Sequence, residues 1–250
     1  MSTSSRAFVR KKQRPHAPLQ LFCFTYAASS AQLFYSWCDH VPDWIEVSGF
    51  ELPGHGPRMG ESPLDNYEEA ALSIADTLEP VLDRPYAIFG HCLGAALGYE
   101  ATRLLRNRGA RQPLHLFSSG ARGPHLGIPI ADVESMNDDE LIEHLRQAYD
   151  APIEFLTHPE MRPLFLPMVR ADARMTQNYR YIPGPPVTYP ITAVAGEEDP
   201  FVSQNQLEAW RHHTTEECKT RRYPGGHFFF IDAAAQLLSH FTTELEPLAV

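Results

Sequence analysis

The chain has 250 residues, 43% of them apolar, and a formal net charge of −10. That length suits one α/β domain with a full core, and the acidic balance excludes general nucleic-acid binding as its main business. No apolar run reaches the length of a membrane-spanning helix, so no membrane association is expected.

Residues 1–18 carry Arg6, Arg10, Lys11, Lys12 and Arg14 without an apolar stretch. They read as a disordered tail and not as a secretory leader. Residues 19–250 read as a single domain. The pattern predicts a strand over 19–24, a helix over 31–40, a strand over 44–48 and a helix over 66–82. The apolar run 86–89 is a further strand, 95–108 a helix and 114–118 a strand. Such alternation implies a mainly parallel sheet with helices on both faces. From about 129 to 186 the pattern turns helical. Residues 138–149 place Leu141, Leu145 and Ala148 at helical spacing, and 159–179 suggest helices broken by prolines. This insertion is expected to cap the site as a lid. Strands return at 191–196 and 219–223.

The run 86–89 leads into Gly90-His91-Cys92-Leu93-Gly94, and a helical stretch leads out. G-x-nucleophile-x-G on a strand-to-helix turn is the nucleophile elbow of α/β-hydrolases. Glycines on either side of Cys92 remove β-carbons that would collide in so sharp a turn. The pentapeptide alone is equally compatible with a buried, inert cysteine. The surroundings favour a nucleophile, because an acid and a histidine follow in the hydrolase order.

The acid is expected in Glu197-Glu198-Asp199-Pro200, after the strand at 191–196. Asp199 is preferred, from the G-x-x-D-P turn, with Glu197 and Glu198 read as solvated loop charges. The base is expected at His227, behind Pro224-Gly225-Gly226, where two glycines permit a turn that swings an imidazole over the sheet. Among the other histidines, His212 and His213 read as surface. His91 reads as packing inside the elbow, and His55, in Pro53-Gly54-His55-Gly56-Pro57, as a turn residue with site lining as the alternative. An acyl oxyanion needs two donors. Leu93 N–H, directly after the nucleophile, is one, and Ala27 N–H, in the loop after the first strand, is the expected second.

Several further strings occur in one order. They are Leu21-Phe22-Cys23-Phe24-Thr25-Tyr26-Ala27, then Leu52-Pro53-Gly54-His55-Gly56-Pro57-Arg58, then Leu164-Phe165-Leu166-Pro167 with Arg170-Ala171-Asp172, and finally Pro224-Gly225-Gly226-His227-Phe228-Phe229. Together they resemble the type II thioesterases of polyketide and nonribosomal peptide assembly lines, over nearly the whole chain from Leu19. The resemblance implies an α/β-hydrolase fold with a helical lid and a catalytic set of Cys92, Asp199 and His227. It also implies cleavage of acyl thioesters from the phosphopantetheine arm of acyl or peptidyl carrier proteins. No resident cofactor is implied, since that arm arrives on the carrier protein. Tyr26 and His91 are expected to line the substrate site. So are Met161, Phe165 and Met168 from the lid, along with Val169 and Met175, with plain packing as the alternative for the lid residues.

Two departures stand out. The family's oxyanion loop is usually P-Y-A-G-G-S, and here it is Thr25-Tyr26-Ala27-Ala28-Ser29-Ser30. The family's nucleophile is usually serine, and here it is Cys92. A cysteine converts one thioester into another, so loading is nearly thermoneutral and the acyl group stays activated. Shuttling of acyl or aminoacyl groups between carrier proteins is therefore an alternative to hydrolysis, and a non-catalytic carrier-protein binder is a third reading. Arg103, Arg106, Arg108 and Arg111, with Arg122 beyond, could form a basic docking patch for an acidic carrier, or be ordinary cations at a helix C-terminus.

The four cysteines, Cys23, Cys38, Cys92 and Cys218, show no metal-binding or disulfide spacing. No metal site is expected, and a reducing cytoplasm is the simplest home. A monomer is expected.

Overall fold

A computed structural model of the chain describes residues 6–128, 132–149 and 153–248. Short β-branched and aromatic runs become strands: β1 (Phe8–Val9), β2 (Leu19–Phe24), β3 (Ile45–Phe50), β4 (Tyr86–His91), β5 (Leu116–Ser119), β6 (Ile191–Gly196) and β7 (Cys218–Tyr223). They form one sheet in the order β1-β3-β2-β4-β5-β6-β7. Only β1 runs antiparallel to its neighbour. Every residue of β2 to β6 is buried, as expected for parallel strands covered on both faces.

The pleat divides the core. Tyr86 and Ile88 of β4 join one apolar layer, against α1 (Tyr67–Leu78) and α2 (Leu93–Asn107). Ala87 and Phe89 point to the other, with Trp37, Phe230 and Phe241. Successive residues of a strand alternate faces, and this alternation separates the layers. The side chain of Asn66 caps α1 by accepting from Glu69 N at 2.9 Å. The segment expected as an α-helix over 31–40 is instead a 3-10 helix, Ala31–Asp39. Ala31, Phe34 and Trp37 are its buried residues together with Cys38. A spacing of three puts the first three on one side of a three-residue turn.

The insertion holds α3 (Asp138–Tyr149) and α4 (Arg162–Gln177). It has its own apolar cluster, including Leu141, Leu156, Met168 and Val169. Arg170 of α4 donates to Asp138 at 2.8 Å through Nε and to the Met136 carbonyl at 3.1 Å, tying α3 to α4. Residues 129–131 and 150–152, at the ends of these segments, lie outside the described residues. Past α5 (Gln204–Glu208), the chain ends in α6 (Phe229–Asp232) and α7 (Ala234–Leu245).

The basic segment expected as a free tail is not one from Arg6 onward. Phe8 and Val9 pair with Phe50 and Gly49, and Ala7 is buried. Lys11 and Lys12 both reach Asp39, at 2.8 and 2.6 Å. Arg14 donates to the carbonyls of Pro42, Ile45 and Cys38. The cations pair with groups beside the edge of β3, and β1 covers that edge. Residues 1–5 lie outside the described residues. Among the described residues no helix is long and apolar enough to cross a membrane.

Candidate active site

Cys92 stands between β4 and α2 with φ +53° and ψ −116°. A non-glycine residue in that region costs about 1–3 kcal/mol, and such strain gathers at functional sites. The surroundings enforce it. Cys92 N–H donates to the Ser119 carbonyl at 2.8 Å, and its own carbonyl accepts from Ala95 N at 3.1 Å. A β-carbon on Gly90 would stand 2.4 Å from the Gly94 oxygen, and one on Gly94 would stand 2.4 Å from the Thr25 oxygen. The elbow is therefore pressed against the end of β2, where the loop carrying Ala27 begins. Gly94→Ala is expected to cost about 2–3 kcal/mol through overpacking, roughly 5–10 °C in Tm for a chain of this size, which a thermal melt measures.

The acid loop follows β6 and the histidine loop follows β7. Glu197 N–H donates to the Tyr223 carbonyl at 2.8 Å and Glu198 N–H to the Gly225 carbonyl at 3.0 Å, so the backbone locks the two loops together. Glu197 and Glu198 are exposed, and Asp199 is buried. Asp199 Oδ2 accepts from His227 Nδ1 at 2.9 Å, and its Oδ1 accepts from Phe201 N at 2.9 Å. On its other side His227 interacts with Cys92. Burial disfavours the charged imidazole, but the bond from Asp199 and the contact with Cys92 outweigh it and raise the His227 pKa from 6.5 to about 10. A raised histidine pKa beside a cysteine is the setting in which thiols can be activated.

His91 lies beneath this pair and is fully buried. Its ring is 4.9 Å from that of His227 and stacks on Phe230 at 4.2 Å. Its Nδ1 pairs with Ser119 Oγ at 2.9 Å. Burial, then the charge of His227, hold its pKa well below the ordinary value, so it packs as a neutral ring. It was expected to line the substrate site and does not.

A cavity opens above Cys92. Tyr26, Ala27, Ala28, Ala96, Ala121, Phe201 and Phe228 line it together with Cys92 and His227. Leu93 is the first residue of α2, where helix N–H groups lack intrahelical acceptors. The insertion roofs the cavity with Leu145, Ile153, Val169, Ala173, Thr176 and Tyr179. Of the lid residues expected to line the site, Val169 does so. Met161 is exposed, Phe165 packs on Phe155 at 5.0 Å, and Met168 is buried in the lid's own cluster. Met175 is buried in the α1–α2 layer. Each residue turns a helix by about 100°, so Val169, Ala173 and Thr176 share the cavity face while Met168 turns away. Phe165 lies one turn beyond the cavity.

Other histidines also differ from expectation. His213 is buried, pairing with Tyr99 OH at 3.2 Å and His125 Nδ1 at 2.7 Å. His212 is exposed. His55 is buried and pairs with Asp172 at 2.9 Å, a role that its loop did not disclose. The arginine patch is largely committed. Arg103 binds Glu100 and the Ile182 carbonyl, Arg106 the Pro185 and Pro186 carbonyls, and Arg108 Asp76 and Glu79. Arg122 borders the cavity and donates to the Phe201 carbonyl at 2.7 Å. Among the described residues no group of three or more His, Cys, Asp or Glu could hold a metal ion.

Two buried histidines link stability to pH. Burial opposes the charge on His55, but Asp172, the Pro53 carbonyl and Glu51 outweigh it and raise its pKa from 6.5 to about 9. His227 is raised likewise to about 10. Both bind a proton more tightly folded than unfolded. Their contribution is therefore full below pH 6.5 and is lost as the pH climbs to about 9 and about 10. Tm is expected to fall across that window, and Asp172→Asn to remove the part due to His55. Melts at half-unit pH steps test this.

A sheet parallel but for one edge strand, with Cys92 on a strained turn after β4, Asp199 after β6 and His227 after β7, is the architecture of an α/β-hydrolase. Comparison with known proteins narrows the class. The Thioesterase domain family matches residues 19–245, and the chain belongs to that family. It is 34% identical to the gramicidin S biosynthesis protein GrsT of Aneurinibacillus migulanus over 245 residues, 98% of this chain and 96% of that one. RedJ, a thioesterase from the prodiginine pathway of Streptomyces coelicolor, superposes with a TM-score of 0.85 at 38% identity, over 93% of this chain and 88% of RedJ. YbtT, a type II thioesterase from the yersiniabactin NRPS/PKS pathway, superposes at 0.83 with 28% identity, over 97% and 99%.

Proposed function

We propose that this protein acts as a type II thioesterase on acyl groups carried by the phosphopantetheine arm of a carrier protein, through an acyl intermediate on Cys92. The observation that carries the reading is the line Cys92–His227–Asp199, whose first two members line a cavity with largely apolar walls. The Cys92 thiolate attacks the thioester carbonyl, forming one C–S bond. The oxyanion is received by the N–H groups of Ala27 and Leu93. When the tetrahedral intermediate collapses, the C–S bond to the arm breaks, and the departing thiolate takes the proton of His227. Asp199 keeps the His227 Nδ1 proton in place throughout. A water deprotonated by His227 then attacks the acyl carbon, the C–S bond to Cys92 breaks, and the free acid leaves with the thiolate and the protonated His227 restored.

Cysteine in place of the family's usual serine favours a second reading. The intermediate is itself a thioester, so a second thiol can take the acyl group at little free-energy cost. Intact-protein mass spectrometry with a short-chain acyl carrier protein separates the two. The sample is run with and without a second, unloaded carrier protein, and with Cys92→Ala as control. Free acid in both conditions establishes hydrolysis. An adduct on Cys92 that discharges only onto the second carrier establishes transfer. Turnover that survives Cys92→Ala overturns the nucleophile assignment.

A further inference from the structure

The loop expected to carry the oxyanion donor does not hold its shape alone. Ala28, where the family usually has glycine, sits at φ +64°, a left-handed conformation that costs an L-residue about 1–2 kcal/mol. Internal bonds brace the loop: Thr25 and Ser29 share a hydroxyl contact, and Ser29 Oγ donates to the Tyr26 carbonyl at 2.9 Å. Its far end is held by Glu51, which accepts from Ser30 Oγ at 2.8 Å and Ala31 N at 3.1 Å. The strained residue itself is held from elsewhere. Ala28 N–H donates to Asp172 Oδ2 at 2.6 Å, across 144 positions of sequence.

Asp172 lies in α4 of the lid and is 1% exposed. A carboxylate so buried needs a counter-charge, and His55 supplies it. The Nε2 of His55 faces Asp172 Oδ2 at 2.9 Å, and its Nδ1 faces the Pro53 carbonyl at 3.0 Å. Both neighbours are acceptors, so both ring nitrogens must donate, which is the imidazolium form. Glu51 adds its charge beside His55, and Arg58 in turn acts on Glu51.

We infer that Asp172 is a positioning residue: by holding Ala28 N–H, it makes the geometry of the Ala27 donor depend on α4 being docked. The inference rests on the proposed Cys92 mechanism and on Ala27 as oxyanion donor. Tyr26–Ala27 and Ala27–Ala28 are consecutive peptide units, so fixing the second limits the swing of the first. The same helix presents Val169, Ala173 and Thr176 to the cavity. An acyl chain seated against those residues stabilises docked α4, and docked α4 completes the oxyanion site. Acyl fit is thereby read out in kcat as well as in KM.

The test uses the full chain with butanoyl-N-acetylcysteamine as substrate and iodoacetamide as a second probe. Alkylation needs the Cys92–His227 pair but forms no oxyanion. Asp172→Ala is expected to lower kcat about thirtyfold, somewhat less than outright loss of an oxyanion donor, with KM and the Cys92 alkylation rate each within about threefold. Asp172→Asn retains an oxygen acceptor for Ala28 N–H and is expected to lose only about fivefold in kcat, with alkylation again preserved. Should Asp172→Ala not fold, Asp172→Asn decides by the same pair of readings. Unchanged kcat overturns the inference, and so does alkylation that falls in step with kcat. Cys92→Ala is assayed alongside. If it still turns over substrate, the nucleophile assignment has failed. If it does not, and the Asp172 variants behave as the unaltered protein, only the positioning role has failed.

Discussion

Cys92→Ala is expected to lower acyl-thioester turnover by about 10⁴-fold or more and to abolish the covalent adduct. Groups that act as a unit lose most of their effect when one is removed, and alanine leaves no atom to attack. The fold should survive, because Cys92 is only half-buried and its strain is imposed by backbone bonds to Ser119 and Ala95. A thermal melt within a few degrees of the unaltered protein, with no acyl adduct by mass spectrometry, is the expected pair of results. Cys92→Ser sharpens the test. An oxygen ester lies below a thioester in free energy, so the serine variant is expected to release free acid and to lose any transfer to a second carrier thiol. Equal transfer by the serine variant and the unaltered protein would remove the case for a special role of sulfur.

Asp199→Asn is expected to cost about 10³–10⁴-fold in kcat at neutral pH while leaving KM nearly unchanged. The Asp199 carboxylate accepts the Nδ1 proton of His227, and an asparagine nitrogen in its place would offer a proton and favour the opposite tautomer. The pH profile should move as well. Asp199 is one of the groups that lift the His227 pKa to about 10 against burial. Without it, the imidazolium gives up its proton at lower pH, and the alkaline limb of kcat/KM should shift towards acid. A limb that stays in place would show that another group governs it.

The resemblance strings covered almost the whole chain, yet they exposed the site unevenly. The elbow was readable because the two glycines around Cys92 are written in the sequence, although the backbone that Gly94 makes room for is that of Phe24 and Thr25, at the end of β2. The strands over 19–24 and 191–196 were readable because continuous apolar runs suit parallel strands buried on both faces. The 3-10 helix at Ala31–Asp39 was missed, although its three-residue burial spacing was present in the chain. Phe165 and Met168 could be read as lining or as plain packing, because which stripe of α4 faces the cavity depends on how the helix docks.

Asp172 marks the limit most clearly. Its string was part of the family resemblance, and nothing in that string pointed to Ala28 or His55, which lie 144 and 117 positions away. The same holds for the basic N-terminal segment, whose partners at Asp39, Pro42 and Ile45 are set by β1 pairing with β3. The alternation of strands and helices from β2 to β5, the sharp turn at Cys92 and the chain order of Cys92, Asp199 and His227 were legible in the amino acids alone, since periodicity and turn chemistry act between near neighbours. The face that α4 turns to the cavity, the burial of His55 and His213, and the bond from Ala28 N–H to Asp172 were settled only by the folded chain. Those features are free energies of contact between distant segments, and a contact has no value until packing brings its two halves together.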